Sequence, residues 1–169
     1  MRELHLAKSA GFCYGVRRAV ELAESVAASG APCVLLGHII HNQNVVDRLA
    51  SLGLRTVESP EEVPEGCQVV IRSHGESRAV YEALQARGAN ILDATCPNVK
   101  RIHQIVSQAE EQGRQPVIVG TPDHPEVVAI AGWCRRPAPP PADTAQSWRR
   151  ILARPRCSPG SFRYRGSHC

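Results

Sequence analysis

The chain has 169 residues, a formal net charge of +4 and seven cysteines, enough for one ordinary domain, or part of a larger one, with a buried core. No apolar run approaches the roughly 20 residues needed to span a bilayer, and Met1-Arg2-Glu3-Leu4-His5 lacks the basic-then-apolar order of a secretory signal, so the sequence predicts a cytoplasmic protein without a membrane partner. The charge is uneven: residues 1–134 carry 12 basic and 15 acidic side chains, residues 135–169 carry 8 and 1. A slightly acidic body with an arginine-rich end argues against nucleic acid as a partner, and an odd cysteine count without a secretion signal points to metal, redox chemistry or burial rather than a disulfide framework.

In chain order, Glu3–Ala7 reads as a strand and Val16–Ala28 as a helix, with apolar residues at helical spacing and Gly30 as its stop. Pro32–Leu36 is a second strand, Asn42–Leu52 a helix ended by Gly53, and Leu54–Val57 a short strand. Gln68–Arg72 is a strand, Ser77 caps a helix over Arg78–Arg87, and Asn90–Leu92 is the strand leading to Cys96. Pro97 suits a first helical turn, the helix over Asn98–Gln112 ends at Gly113, Pro116–Val119 reads as a strand, and a further helix runs from His124 to Ala131. This alternation predicts an α/β fold of repeated strand-helix units with parallel sheets. After Trp133 the rhythm stops in Arg135-Arg136-Pro137-Ala138-Pro139-Pro140-Pro141 and an Arg/Ser/Pro/Gly-rich run. The composition predicts little packed structure there, as either a disordered basic tail or a sequence out of register with an original reading frame.

Two cysteines occupy positions that favour chemistry. Cys96 ends Asp93-Ala94-Thr95-Cys96-Pro97 between a strand and a helix, and Cys13 precedes the first helix in Gly11-Phe12-Cys13-Tyr14-Gly15. Backbone N–H groups and the dipole at a helix start favour a thiolate, the form that binds metal. Three histidines, His41, His74 and His124, stand after a strand or at a helix start, where imidazoles can meet phosphate or metal. Glu126 lies two residues beyond His124; it is a candidate proton donor if a closed site surrounds it, and otherwise a first-turn glutamate favouring the helix dipole. Cys33 and Cys67 fall in or beside strand patterns as buried apolar side chains, and Cys134, Cys157 and Cys169 receive no role. A zinc site using Cys13, Cys96 and a histidine is the less favoured metal reading, because it lacks the close C-x-x-C pairing of common structural sites.

Taken together, Gly11-Phe12-Cys13-Tyr14-Gly15-Val16, His41-Asn42, Ser73-His74-Gly75, Asp93-Ala94-Thr95-Cys96-Pro97 and His124-Pro125-Glu126-Val127 resemble, in order and spacing, the 4-hydroxy-3-methylbut-2-enyl diphosphate reductases of the non-mevalonate isoprenoid pathway. The resemblance covers roughly Glu3 to Gly132. It implies a trefoil of three α/β domains around a 4Fe-4S cluster held by one cysteine per domain, of which Cys13 and Cys96 match two and the third has no counterpart here. It further implies that His41, His74 and His124 hold the diphosphate, that Glu126 feeds protons, that electrons come from a ferredoxin or flavodoxin type donor, and that the products are isopentenyl and dimethylallyl diphosphates. On this reading residues 1–96 are the first domain with its N-terminal strand, 97–132 are an incomplete second, and 133–169 are a divergent basic tail. The Glu3–Ala7 strand belongs with the family's third domain. The alternative is a non-catalytic remnant of such an enzyme that retains partial diphosphate binding.

Overall fold

The computed structural model describes residues 3–134. The tail expected over 133–169 therefore lies, from residue 135 onward, outside the described residues. The elements are α1 (Tyr14–Ser29), β1 (Cys33–Leu36), α2 (Gln43–Ser51), β2 (Arg55–Val57), a 3-10 turn (Pro60–Glu62), β3 (Gln68–Ile71), α3 (Arg78–Ala86), β4 (Asn90–Asp93), α4 (Pro97–Glu111) and α5 (Pro125–Ala131). The four strands form one parallel sheet in the order β2-β1-β3-β4. The expected α/β architecture is the one observed.

Strand periodicity sorts the core into two layers. Leu35 and Val70 point to one face, where Ala19, Val20, Ala23 and Val26 of α1 and Val45 and Leu49 of α2 cover them. Val34, Leu36, Val69 and Ile71 point to the other, against Leu84, Val80 and Tyr81 of α3. Successive strand side chains alternate faces, so a sheet covered on both sides needs continuous apolar strands. Val69, Val70 and Ile71 are accordingly fully buried. A smaller core joins α4 to α5 through Val106, Ile118, Val127 and Ile130, with Trp133 packed against it.

Local chemistry sets the helix ends. Asn42 accepts from the Val45 N–H and caps α2, and Ser77 accepts from the Val80 N–H and caps α3. Gly30 ends α1 at φ 69°, a left-handed position that favours glycine. Two expected strands are not formed. Residues 3–7 form no strand, with Leu4 91% and Leu6 82% exposed, because no described strand offers them a ladder. Residues 116–119 contribute only a single bridge residue, Val119, and leave Val117 and Val119 exposed at 46% and 60% for the same reason.

The two layers predict a sharp contrast between positions. Leu84 on α3 is 0% exposed against the sheet, whereas Val128 on α5 is 51% exposed. Leu84→Ala should cost about 2–5 kcal/mol in urea unfolding, and Val128→Ala less than about 0.5 kcal/mol. Equal costs at the two positions would show that the sheet's second layer is not a packed core.

Candidate functional site

Strand order determines where a ligand can sit. From β1 the chain moves to β2 on one side, and from β3 to β4 on the other, so the exits of the adjacent strands β1 and β3 diverge. Such a reversal opens a crevice at the carboxyl ends of the strands, the usual ligand position in open α/β sheets. His41 arrives on the loop after β1 and His74 on the loop after β3, with ring centroids 4.7 Å apart. His124, at the start of α5, completes the cluster at 6.0 Å from His41 and 5.7 Å from His74. The three residues bring donor atoms within 4.8 Å of one another; no other His, Cys, Asp or Glu group of three or more converges in this way among the described residues. A zinc site of Cys13, Cys96 and a histidine is thus not assembled.

Main-chain bonds hold these loops together. The Ile39 carbonyl accepts from both the Ser73 N–H at 3.3 Å and the Ser73 hydroxyl at 2.9 Å, and the Ser73 carbonyl accepts from the Cys96 N–H at 2.9 Å. Gly75 follows at φ 75°, where a side chain is strained, and a Cβ there would come within 2.8 Å of His103 and 2.9 Å of Thr95.

The two cysteines stand at equivalent points. The carbonyls of Cys13 and Cys96 accept the first helical bonds of α1 and α4, from Arg17 and Lys100. Cys13 is exposed and Cys96 half-buried. Gly15 lies directly against Cys96, since a Cβ at Gly15 would sit 2.6 Å from its Sγ. Arg18, one turn further along α1, donates to the Thr95 and Asp93 carbonyls at 3.2 Å each. This residue, absent from the sequence-derived site, ties the Cys13 helix to the Cys96 loop. Asp93 shapes that loop by accepting from the Thr95 N–H at 2.9 Å and pairing with Lys100 at 2.7 Å. Burial works to raise the Asp93 carboxyl, but the Lys100 and Thr95 hydrogen bonds hold it below the usual carboxylate range. Cys33 and Cys67 flank the amino ends of β1 and β3, on the opposite edge of the sheet. Burial beside Cys67 pushes the Cys33 thiol up to about 11.

At His74 the electrostatics favour neutral imidazole. Burial lowers His74 to about 4, helped by His41, Arg72 and His124. Its Nδ1 is buried with no hydrogen-bond partner among the described residues. The Arg72 guanidinium pairs with Glu76 at 2.6 Å, and burial raises the Glu76 carboxyl against the pull of Arg72. His124 accepts the Glu126 N–H on Nδ1 at 3.2 Å, which caps α5 and leaves Nε2 as its N–H donor. Glu126 is half-buried in the first turn of α5. Behind the cluster, His103 is 4% exposed and stacks on Trp133 at 5.1 Å, and the Trp133 Nε1–H donates to the Glu76 carbonyl at 2.9 Å. Desolvation drives His103 to about 4.

Fold and side chains together define a parallel α/β protein with an imidazole cluster at its topological switch point and two helix-capping cysteines along the same edge. The chain belongs to the LytB protein family, whose profile matches residues 4–140. It is similar to the 4-hydroxy-3-methylbut-2-enyl diphosphate reductase of Caldanaerobacter subterraneus subsp. tengcongensis, at 43% identity over 136 residues, covering 78% of this chain and 47% of that protein. Among solved structures, an (E)-4-hydroxy-3-methyl-but-2-enyl diphosphate reductase superposes with a TM-score of 0.66 at 46% identity, over 75% of this chain and 45% of the other. The corresponding reductase from Plasmodium falciparum superposes at 0.72 with 28% identity, over 75% and 40%. The chain spans about half the length of the curated relatives it matches. No described helix is long and apolar enough to cross a membrane.

The depressed histidines predict how stability depends on pH. His74 and His103 titrate near 4 when folded and near 6.5 when unfolded. Between those values the unfolded chain binds more protons, so their contribution is fully present above about pH 6.5 and is lost as pH falls toward 4. The urea midpoint should drop between about pH 7.5 and 5 with uptake of up to about two protons on unfolding, and His74→Gln should reduce that slope. A midpoint that stays constant across this range would contradict the neutral, buried state of both rings.

Proposed function

We propose that this chain supplies the diphosphate-binding site and two thiolate positions of a 4-hydroxy-3-methylbut-2-enyl diphosphate reductase. The reaction removes the substrate hydroxyl as water and yields isopentenyl and dimethylallyl diphosphates, with electrons from a ferredoxin or flavodoxin type donor. The observation that carries this reading is the convergence of His41, His74 and His124 at the crevice between the β1 and β3 exits. Residues 1–96 act as the first α/β domain, 97–132 as part of a second, and 133–169 as a divergent tail.

In this reading the imidazole N–H groups donate to diphosphate oxygens. His124 is already in the donating tautomer at Nε2, because its Nδ1 accepts from the main chain. Glu126, held beside His124 at the start of α5, delivers protons to the departing hydroxyl and the allyl carbon. Thiolates suit iron-sulfur clusters, and the close contact of Cys96 with the bare Gly15 backbone keeps its sulfur at the shared edge. Cys13 and Cys96 would hold two corners of a 4Fe-4S cluster, which when bound supplies the electrons and a Lewis-acidic iron. Cys33 and Cys67 open on the wrong edge of the sheet for the third position.

Anaerobic iron-sulfur reconstitution of the full chain, with EPR and a substrate assay using a chemical reductant, tests the whole proposal. The expected cluster signal disappears in Cys13→Ser and Cys96→Ser, and turnover disappears in Glu126→Gln. A second reading, diphosphate binding without a stable cluster, is favoured by one contrast: all three imidazoles converge, while the chain carries two of the family's three matching cysteines. The reconstitution separates the two, and calorimetry with pyrophosphate on metal-free protein tests the binding that both require. Loss of any one histidine should weaken binding about ten- to a hundredfold, the worth of one charge-assisted hydrogen bond. Absence of binding to the unaltered chain would remove both readings.

A further inference from the structure

We infer that His41, His74 and His124 also form a binding site for a single borderline transition-metal dication, zinc or cobalt(II), coordinated by three imidazole nitrogens with a fourth position open to solvent. The metal binding stands on the cluster geometry alone; only its relation to diphosphate rests on the function proposed above.

The donor atoms lie within 4.8 Å of one another. Tetrahedral zinc with nitrogen ligands at about 2.0–2.1 Å needs nitrogens about 3.3 Å apart, a closure that side-chain rotation of the exposed His41 and His124 supplies while half-buried His74 stays fixed. Three separate loops deliver the rings, and the Ile39–Ser73 bonds hold the first two loops in place before any metal arrives. The donor set is nitrogen only. Such a set selects zinc, cobalt, nickel or copper and discriminates against magnesium and calcium, which require oxygen. His74 is held neutral, and a neutral imidazole is the ligand form. Arg72, the cation nearest the cluster in sequence, is held by Glu76 at 2.6 Å.

Metal and diphosphate make opposite demands on these nitrogens. A nitrogen that gives its lone pair to a metal has no hydrogen to donate to a phosphate oxygen, so metal loading and direct imidazole–diphosphate hydrogen bonding exclude each other at the same atom. His124 carries a second consequence. Coordination through Nδ1 displaces the Glu126 N–H directly. Coordination through Nε2 moves the ring proton to Nδ1, turning the acceptor into a donor. Either way the cap of α5 is released.

Cobalt(II) titration of the full, cluster-free chain under anaerobic conditions tests the inference. The expected result is one equivalent with the visible ligand-field bands of a tetrahedral site, no thiolate-to-cobalt charge transfer, and no response to magnesium. Affinity should survive in the Cys13→Ser/Cys96→Ser double variant. It should fall at least about a hundredfold in His41→Ala and in His124→Ala, more than the loss of an outer-sphere partner costs. Both histidines are exposed, so circular dichroism should show these two variants folded. The Glu126 amide, followed by NMR, should lose its hydrogen-bonded shift on loading. Thiolate charge transfer, affinity indifferent to the histidine variants, or no binding would each overturn the site. Histidine-dependent pyrophosphate binding without cobalt binding would overturn it while leaving the diphosphate reading intact.

Discussion

The arrangement at this edge of the sheet depends on one short hydrogen-bonded chain, from the Ile39 carbonyl through Ser73 to the Cys96 N–H. It links the loop after β1, the loop after β3 and the loop after β4. Ser73 is 6% exposed and Ile39 1%, and in that setting an unmade bond costs the full desolvation of the stranded group. The loops are therefore locked by necessity: any drift of the His74 loop would orphan a buried carbonyl on one side or an amide on the other. Two of the three links are main-chain groups, so the lock is largely independent of side-chain identity at residue 73. Arg18 adds the fourth segment by reaching from α1 to the Thr95 and Asp93 carbonyls, and with it Cys13 is referred to the same frame as Cys96.

A second layer of constraint lies behind the histidines. Gly75 turns the chain at φ 75° so tightly against Thr95 and His103 that no side chain fits. The Glu76 carbonyl then receives the Trp133 Nε1–H, and Trp133 lies between His103 and the Arg78 guanidinium, which sits 5.2 Å from its ring. Stacking on an aromatic face and a cation over it each contribute about 0.5–1.5 kcal/mol. The Trp133 indole thus helps to fasten the small α4–α5 core to the main sheet, together with the Arg78 to Ser107 hydrogen bond at 3.3 Å. His124 reaches the crevice because α5 is fixed in this way.

Much of this was legible in the sequence. Apolar runs punctuated by glycine gave the strand-helix alternation, and Ser77 marked a helix start because its side chain has a defined partner three residues on. The histidines and the cysteines were found by their positions after strands and before helices. Strand order was not legible, because alternation is equally compatible with several orders; the crevice between β1 and β3 follows from the order alone. Glu3–Ala7 and Pro116–Val119 have strand composition, yet a strand exists only through its neighbour, and composition does not say whether a neighbour is present. Arg18 and Trp133 act through contacts with residues 77 and 57 positions away, and no local pattern marks them.

The cluster also sets the charge state of its buried ring. Two imidazolium charges about 4.7 Å apart repel by about 3 kcal/mol even at an effective dielectric constant near 20. Burial and the Arg72 charge add to the cost of protonating His74. The site is consequently neutral at His74. In the function proposed above, a diphosphate entering the crevice would reverse the sign of the dominant field, because the anion would stabilise the proton that burial and Arg72 disfavour on His74. In that reading binding is linked to proton uptake at His74, and the structural source of the linkage is the topological switch point that places the loops after β1 and β3 side by side.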